Sequence, residues 1–513
     1  MLPPSTPEND FSLAQTKGDL TRPSLAIASV LPALEMPGAP VSDVSSDPLR
    51  VDSNEPSVLG DASATRVKQN KKNSRWIALL LILVSCGLSV LWGSFLARSS
   101  SVGMTDFKAV YSGARCLIQH SDPYKSGDFL RVYQAEGGRI PTDPTMALLL
   151  RRALLVCVNL PTTLFFILPF AQLPLAQAYV LWMLFMAAGL ALAAFLMWTT
   201  GANKAPGISL SLTCTLLANC VILFKDGNAA GIVVSLCVAA VWCFLEDRFV
   251  PAGILCLALS LIIKPHDAGL VWLYFLLAGG VLRKRALQTL IVTVVLSLPA
   301  FLWVSHVAPD WLPELRSNVQ EASAHGGLND PGPAAIGFHH PDNIIDLQAF
   351  LSVFRDDPRL YVPASYLVSG SLLLLWSFAT LRSRFSRERA WLALAAIAAL
   401  TMLITYHRQH DAKLLLLTVP ACAMLWAEGG PTRWVALVAN SAGILITGDI
   451  PATALSILTG QLHVQSGFFG HLKTALLVRP APLILLFIAA FYLWIYLRRS
   501  ALAPETANGA EYS

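Results

Sequence analysis

Long apolar runs alternate with short polar turns from residue 76 to residue 499 of this 513-residue chain. The first run, Trp76 to Ala97, meets no charge before Arg98. Runs of about 15–23 residues predict α-helices sized for a bilayer core of roughly 30 Å. They are rich in Leu, Ala, Val and Ile, and they lack the ten-residue alternation of an outer-membrane barrel. The pattern therefore predicts an all-α, polytopic integral membrane protein. Residues 1–65 are rich in Pro, Ser, Asp and Ala with no sustained periodicity, and no signal-peptide pattern precedes residue 76. With the basic stretch up to Arg75 they predict a disordered tail over 1–75. A membrane domain follows over 76–499, and a short tail over 500–513.

Charge placement orients the helices, because Lys and Arg stay on the cytoplasmic side. Arg66, Lys68, Lys71, Lys72 and Arg75 precede the first run, Arg283-Lys284-Arg285 fill one turn, and Arg382, Arg384, Arg387 and Arg389 another. Arg498-Arg499 close the last run. Two runs between residues 285 and 382 and four between 389 and 498 keep all of these turns on one side. Both termini are then cytoplasmic, and the loops 98–150, 308–360 and 450–480 are external. Upstream the parity fails, since 151–170, 175–198 and 208–224 make three runs where an even number is needed. One of them is expected to be re-entrant or interfacial, with the Pro-interrupted 151–170 and the short 208–224 favoured, because irregular backbone at membrane depth must pack inside protein. About 12 true spans result.

Composition agrees: 55% of residues are hydrophobic and 13% charged, against about 25% charged in soluble proteins. The net charge of +5 sits mostly in inter-helix turns, so nucleic acid is not expected as a partner. The nine cysteines lie in or beside apolar runs, Cys116 excepted, and form no CxxC. They read as small buried hydrophobes. Walker, GxGxxG, GxSxG and HExxH motifs are absent, which leaves an ATP-driven pump, a dinucleotide module and a zinc protease unsupported.

Candidate chemistry collects on the predicted external side. Asp106 follows the first span, with Arg115, Asp122 and Tyr124 in the same loop. Lys225-Asp226, Lys264-Pro265-His266-Asp267 and His407-Arg408-Gln409-His410-Asp411 sit at the ends of later runs. Ionisable groups near membrane helices are costly and tend to mark function. Asp106 suits a base, a helix cap or a partner of Arg115. Asp122-Pro123-Tyr124 suits a turn. Lys264 ends an apolar run against the charge rule, where an ammonium suits a phosphate. His407 and His410, three apart, would share a face if helical; catalysis or phosphate binding is preferred over metal, since only Asp411 offers a further ligand. His339-His340 read as exposed polar residues.

These motifs resemble a family. Asp106-Phe107, Tyr111, Ala114-Arg115, Leu117 and Asp122-Pro123-Tyr124 are similar to the pattern opening the external loop of glycosyltransferase family 87, in the GT-C superfamily. Leu160-Pro161-Thr162, Lys225-Asp226-Gly227-Asn228, Gly253 to Lys264-Pro265-His266, and Tyr406 to Asp411 resemble later motifs in the same order. Leu160 stands where Tyr is usual, Lys225-Asp226 where Gly-Gln is usual, and His266 where Gln is usual. The resemblance implies a GT-C-type helical bundle that transfers a hexose, mannose first, with inversion from a polyprenyl-phosphate donor. The acceptor would be a glycolipid or cell-envelope glycan outside the cell membrane. It implies Asp106 as base, Lys264, His266, His407 and His410 on the donor phosphate, and Arg115, Asp122, Tyr124, Asp226 and Asp411 as positioning residues, without metal or cofactor. A transporter or flippase using the same polar groups as a path is the alternative, although internal repeats are not visible. A non-catalytic scaffold that binds a lipid-linked glycan is a third reading.

Overall fold

A computed structural model of the chain describes residues 58–99, 103–333, 344–449 and 467–501. His339-His340 and residues 450–466 lie outside the described residues. The described residues from Thr65 onward belong to one compact unit built of helices joined by turns, with no strand among them.

The helices follow the apolar runs. They are α1 (Val58–Ser99), α2 (Thr105–Ile118), α3 (Ser126–Ala135), α4 (Pro144–Leu154), α5 (Pro161–Ala171), α6 (Leu175–Ala202) and α7 (Pro206–Ala218). Next come α8 (Val221–Asp226), α9 (Ala230–Leu245), α10 (Val250–Ile263), α11 (Pro265–Leu277), α12 (Gly280–Val307), α13 (Trp311–Ser323) and α14 (Leu347–Leu351). The last are α15 (Pro358–Arg382), α16 (Arg387–Ile404), a 3₁₀ segment (Asp411–Thr418), α17 (Val419–Glu428), α18 (Thr432–Ile446), α19 (Phe468–Val478) and α20 (Ala481–Ala501). Residues 58–75, expected in the disordered tail, continue α1 as helix. The loop 98–150 is not irregular either, because α2, α3 and α4 fold within it.

Among the described residues, five helices are long and apolar enough to cross a membrane: the Ser74–Ser99 part of α1, and α6, α12, α15 and α20. The apolar helices α5, α7, α9, α10, α18 and α19 are shorter. A 14-residue helix such as α10 rises about 21 Å, less than a core of roughly 30 Å. The expected total of about 12 spans thus depends on these short helices. Of the three runs that broke parity, only 175–198 is a single long helix, α6. The run 151–170 is divided between α4 and α5, and 208–224 breaks at Asn219-Cys220 between α7 and α8.

The core gathers on α16. Every residue from Ala390 to Leu403 is buried, as expected of a helix apolar all round, and its many alanines let α20, α11 and the 3₁₀ segment approach closely. At the other extreme, only 11% of the apolar window of α12 is buried, which marks it as a peripheral, lipid-facing helix.

Breaks in buried helices leave backbone groups without partners, and side chains from distant segments supply them. Where α7 ends, the carbonyl of Asn219 accepts from Lys413 Nζ at 2.7 Å. Where α8 begins, Ile222 N donates to Asp449 Oδ2 at 2.8 Å. Lys413 and Asp449 face each other at 3.6 Å, both almost wholly buried. Removing one member of a buried ion pair costs about 3–5 kcal/mol, while neutralising both is far milder. Lys413→Met should therefore lower the thermal unfolding midpoint of the detergent-purified protein markedly, and adding Asp449→Asn should restore most of the loss. A double variant as unstable as the single one would show that the two buried charges do not stabilise each other.

Candidate active site

Four turns meet at the site: the first turn of α2, the α8–α9 turn, the α10–α11 turn, and residues 405–411 between α16 and the 3₁₀ segment. Each is held by a local feature.

Asp106 sits in the first turn of α2, where the partial positive charge of the helix end favours a carboxylate. Its Oδ2 accepts from Asn228 Nδ2 at 2.7 Å and lies 3.9 Å from His410 Nε2. Its Oδ1 makes no hydrogen bond to a described residue, and the side chain is 41% exposed. Asn228 is held in turn, because its Oδ1 accepts from Ala230 N at 2.8 Å. The preceding Gly227 has φ +65°, and a Cβ there would stand 2.8 Å from Phe107 Cβ. Glycine thus provides both the left-handed turn and the close approach to the residue beside Asp106. Trp182 Nε1 donates to the Gly227 carbonyl at 2.9 Å, and Met104 N donates to the Lys225 carbonyl at 3.0 Å, so α2 and the α8–α9 turn are docked together.

Lys264 lies between α10 and α11, where Pro265 stops α10. The carbonyls of Ile262 and Ile263 at that end are taken by Thr162 Oγ1 at 2.5 Å and Thr163 Oγ1 at 2.7 Å. The first turn of α5 therefore fixes the backbone beneath Lys264. Its ammonium pairs with Asp411 Oδ1 and stands 3.3 Å from Asp267 Oδ2. Burial pushes the Lys264 pKa down, but Asp267 and Asp411 outweigh it and hold the group above its ordinary value.

His407 and His410 do not lie on a helix. The turn is non-helical, its strand-like contact being the bridge between Arg408 and Ile344 together with Ile345 N donating to the His407 carbonyl at 2.9 Å. The two rings consequently serve different neighbours. His410 faces Asp106, while His407 Nε2 faces Asp267 Oδ1 at 3.1 Å and its Nδ1 lies 2.8 Å from the Thr405 carbonyl. With a carbonyl beside Nδ1 and a carboxylate charge beside Nε2, the surroundings favour the ring carrying two protons. Burial opposes that charge, yet Asp267, Asp411 and the Thr405 carbonyl hold the His407 pKa above the ordinary histidine value. Asp411 also accepts from Arg408 N at 2.9 Å. His266, about a third exposed, packs edge-on against His407 with ring centroids 5.1 Å apart.

Asp106, Lys264, His266, His407, His410, Asp411 and the buried Asp226 thus come to one neighbourhood. Arg115, Asp122 and Tyr124 do not join it. Nine residues along α2, about 13 Å of helix rise, separate Arg115 from Asp106. Arg115 does not pair with Asp106; its Nε donates to Glu136 at 2.7 Å and its Nη1 to the Ala171 carbonyl at 3.1 Å. Asp122 Oδ1 accepts from Tyr124 N at 2.9 Å, closing the expected turn, and Tyr124 Oη donates to the Asn159 carbonyl at 3.0 Å. These three hold the loop together.

His266, Asp267, His407 and Asp411 offer ligand atoms within 4.8 Å of one another, as do Asp106, Asp226 and His410. In the first group the Lys264 ammonium already provides the cation between the two carboxylates. The sequence reading named Asn228 and Asp267 within their motifs but assigned neither a role, and it did not name Thr163. The Asn in the Asp226-Gly227-Asn228 turn was the one available signal, since a short amide after a left-handed glycine can reach a neighbouring carboxylate.

The elevated His407 pKa has a stability consequence. Its stabilising contribution is complete below the unfolded pKa of about 6.5 and is lost as pH rises through the higher folded value. The unfolding midpoint of the protein should fall as pH is raised above about 6.5, and His407→Gln should flatten that dependence. Identical slopes in the two proteins would separate His407 from the charge cluster.

The comparisons with known proteins bear on this geometry. The family model of glycosyltransferase family 87 matches residues 158–406. The match takes in Thr162, Thr163, Asn228, Lys264 and Asp267; it begins after Asp106 and ends before His407. No curated protein and no solved structure matches the chain.

Proposed function

A chain of glycosyltransferase family 87 is a membrane glycosyltransferase, and on that premise we propose an inverting transfer of a hexose, mannose first, from a polyprenyl-phosphate donor. The acceptor is a glycolipid or cell-envelope glycan. The site faces outward from the cell membrane, with both termini cytoplasmic. The observation that carries this reading is Asp106: one carboxylate oxygen is tied to Asn228 and the other has no described partner, on a side chain that remains partly open.

Asp106 Oδ1 takes the proton of the acceptor hydroxyl as that oxygen attacks the anomeric carbon. The bond from that carbon to the donor phosphate oxygen breaks on the opposite face. The lipid phosphate departs with the electron pair, and the sugar inverts. Proton transfer by a positioned carboxylate contributes about 10²–10⁴-fold. Lys264 and His407 supply positive charge near the departing phosphate, a role that preorganised groups perform without reorganising at the moment of reaction. His266, held neutral by burial with its pKa lowered to about 4, and His410 offer ring nitrogens. His266 is the most exposed of the four. Lys264 and His407 act through a cluster that already balances Asp267 and Asp411, so the phosphate meets a preset arrangement. Asp226 and Asp411 position their neighbours, while Arg115, Asp122 and Tyr124 shape the loop.

Membranes containing the protein should transfer labelled mannose from polyprenyl-phosphate mannose, and Asp106→Asn should reduce transfer by about 10²–10⁴-fold at matched expression, with donor binding retained. Equal transfer by both proteins would remove Asp106 as the base. Absence of transfer in both, with a different polyprenyl-phosphate hexose accepted, would change the sugar alone.

A further inference from the structure

At the opposite ends of α11 and α16 from the site, arginines outnumber the acids that could neutralise them. The acids there are already engaged: Glu246 with Arg387, Glu428 with Arg499, and Glu388 with Lys204 at 3.3 Å. Arg382, Arg384, Arg389 and Arg498 have no carboxylate partner among the described residues.

Two of the four show where the membrane surface lies. Arg382 rests over the Phe378 ring at 4.1 Å and Arg498 over the Trp494 ring at 5.9 Å. Both rings are exposed apolar groups near the ends of the spans α15 and α20, so their guanidiniums stand at headgroup level.

The other two line a shallow, open cleft with Ser383, Ser386, Thr380, Tyr274 and Tyr496. Arg389 Nε donates to Ser386 Oγ at 3.1 Å, and Ser386 caps α16 through Arg389 N, so this guanidinium is held beside a helix N-terminus. Tyr274 and Tyr496 are more than nine-tenths buried, yet neither hydroxyl makes a hydrogen bond to a described residue. Both tyrosines line the open cleft, where a ligand or water can accept from their hydroxyls. Guanidiniums, a helix N-terminus and free hydroxyls together present donors suited to one acceptor-rich anion.

We propose that this cleft binds the phosphate of an anionic phospholipid headgroup. The phosphate lies at the mouth between Arg384 and Arg389 and accepts from the hydroxyls of the wall, with its acyl chains running along the exposed faces of α15 and α20. The lipid would join the end of α20 to the α15–α16 turn, which already meet where Ser500 Oγ lies 3.5 Å from Ser383 Oγ.

The test is native mass spectrometry of the detergent-purified full-length chain, counting retained phosphatidylglycerol against phosphatidylcholine. Wild type should retain phosphatidylglycerol selectively. Arg384→Gln with Arg389→Gln should lower that retention at least about tenfold, as expected for losing charge-assisted hydrogen bonds. Arg283→Gln with Lys284→Gln, which removes the same charge from another basic turn, should leave it unchanged. Tyr274→Phe should give a smaller loss, and it carries the test if the arginine variant fails to fold. Equal losses in the two charge variants, no loss in Tyr274→Phe and the arginine variant, or equal retention of phosphatidylcholine would each overturn the proposal. Thermal stabilisation by inorganic phosphate that matches the gain from phosphatidylglycerol would overturn the lipid assignment.

Discussion

Everything at the candidate site depends on one constraint: helix ends packed inside a membrane protein need protein partners for their backbone groups. Lipid offers no hydrogen bonds, so each break is closed by a side chain from elsewhere in the chain. Thr162 and Thr163 take the last carbonyls of α10. Lys413 takes the Asn219 carbonyl, and Asp449 takes the Ile222 amide. Asn228 takes the Ala230 amide and Trp182 donates to the Gly227 carbonyl. The breaks permit polar turns among packed helices, and the closing side chains fix where those turns meet.

The charge cluster obeys the same logic. Asp267 and Asp411 are buried carboxylates, and such charges persist only when paired with opposite charge. Lys264 stands between them, with His407 on the far side of Asp267. Two acids and two basic groups therefore balance, and the histidine gains its proton from its neighbours in spite of burial. Beside this balanced group, Asp106 is only partly committed. Asn228 orients one oxygen, and the other remains available. A rigid, neutralised group next to an open carboxylate is an arrangement suited to moving one proton while holding an anionic leaving group.

The candidate site and the basic cleft lie at opposite ends of two shared helices. α11 begins at the site with Lys264 and ends beside the basic cleft, while α16 begins at the cleft and ends just before His407. Among the described residues, several arginines of the basic end lack the carboxylates that neutralise the rest.

Hydropathy is a local property, so the chain by itself determined the helical membrane class, the apolar runs and the polar turns that separate them. It also placed Asp106, Lys264, His407 and His410 among the groups worth attention, because ionisable residues at membrane helix ends are conspicuous against their surroundings. Pairing is not local. Asn228 reaches Asp106 across 122 positions, and Lys264 reaches Asp411 across 147. A turn motif carries no record of its distant partner. The split of the two histidines between Asp267 and Asp106, the ties of Arg115 to Glu136 and the Ala171 carbonyl, and the division of 208–224 into α7 and α8 were therefore decided only by tertiary structure. There, packing brings particular donors to particular backbone groups and leaves the other arrangements unsatisfied.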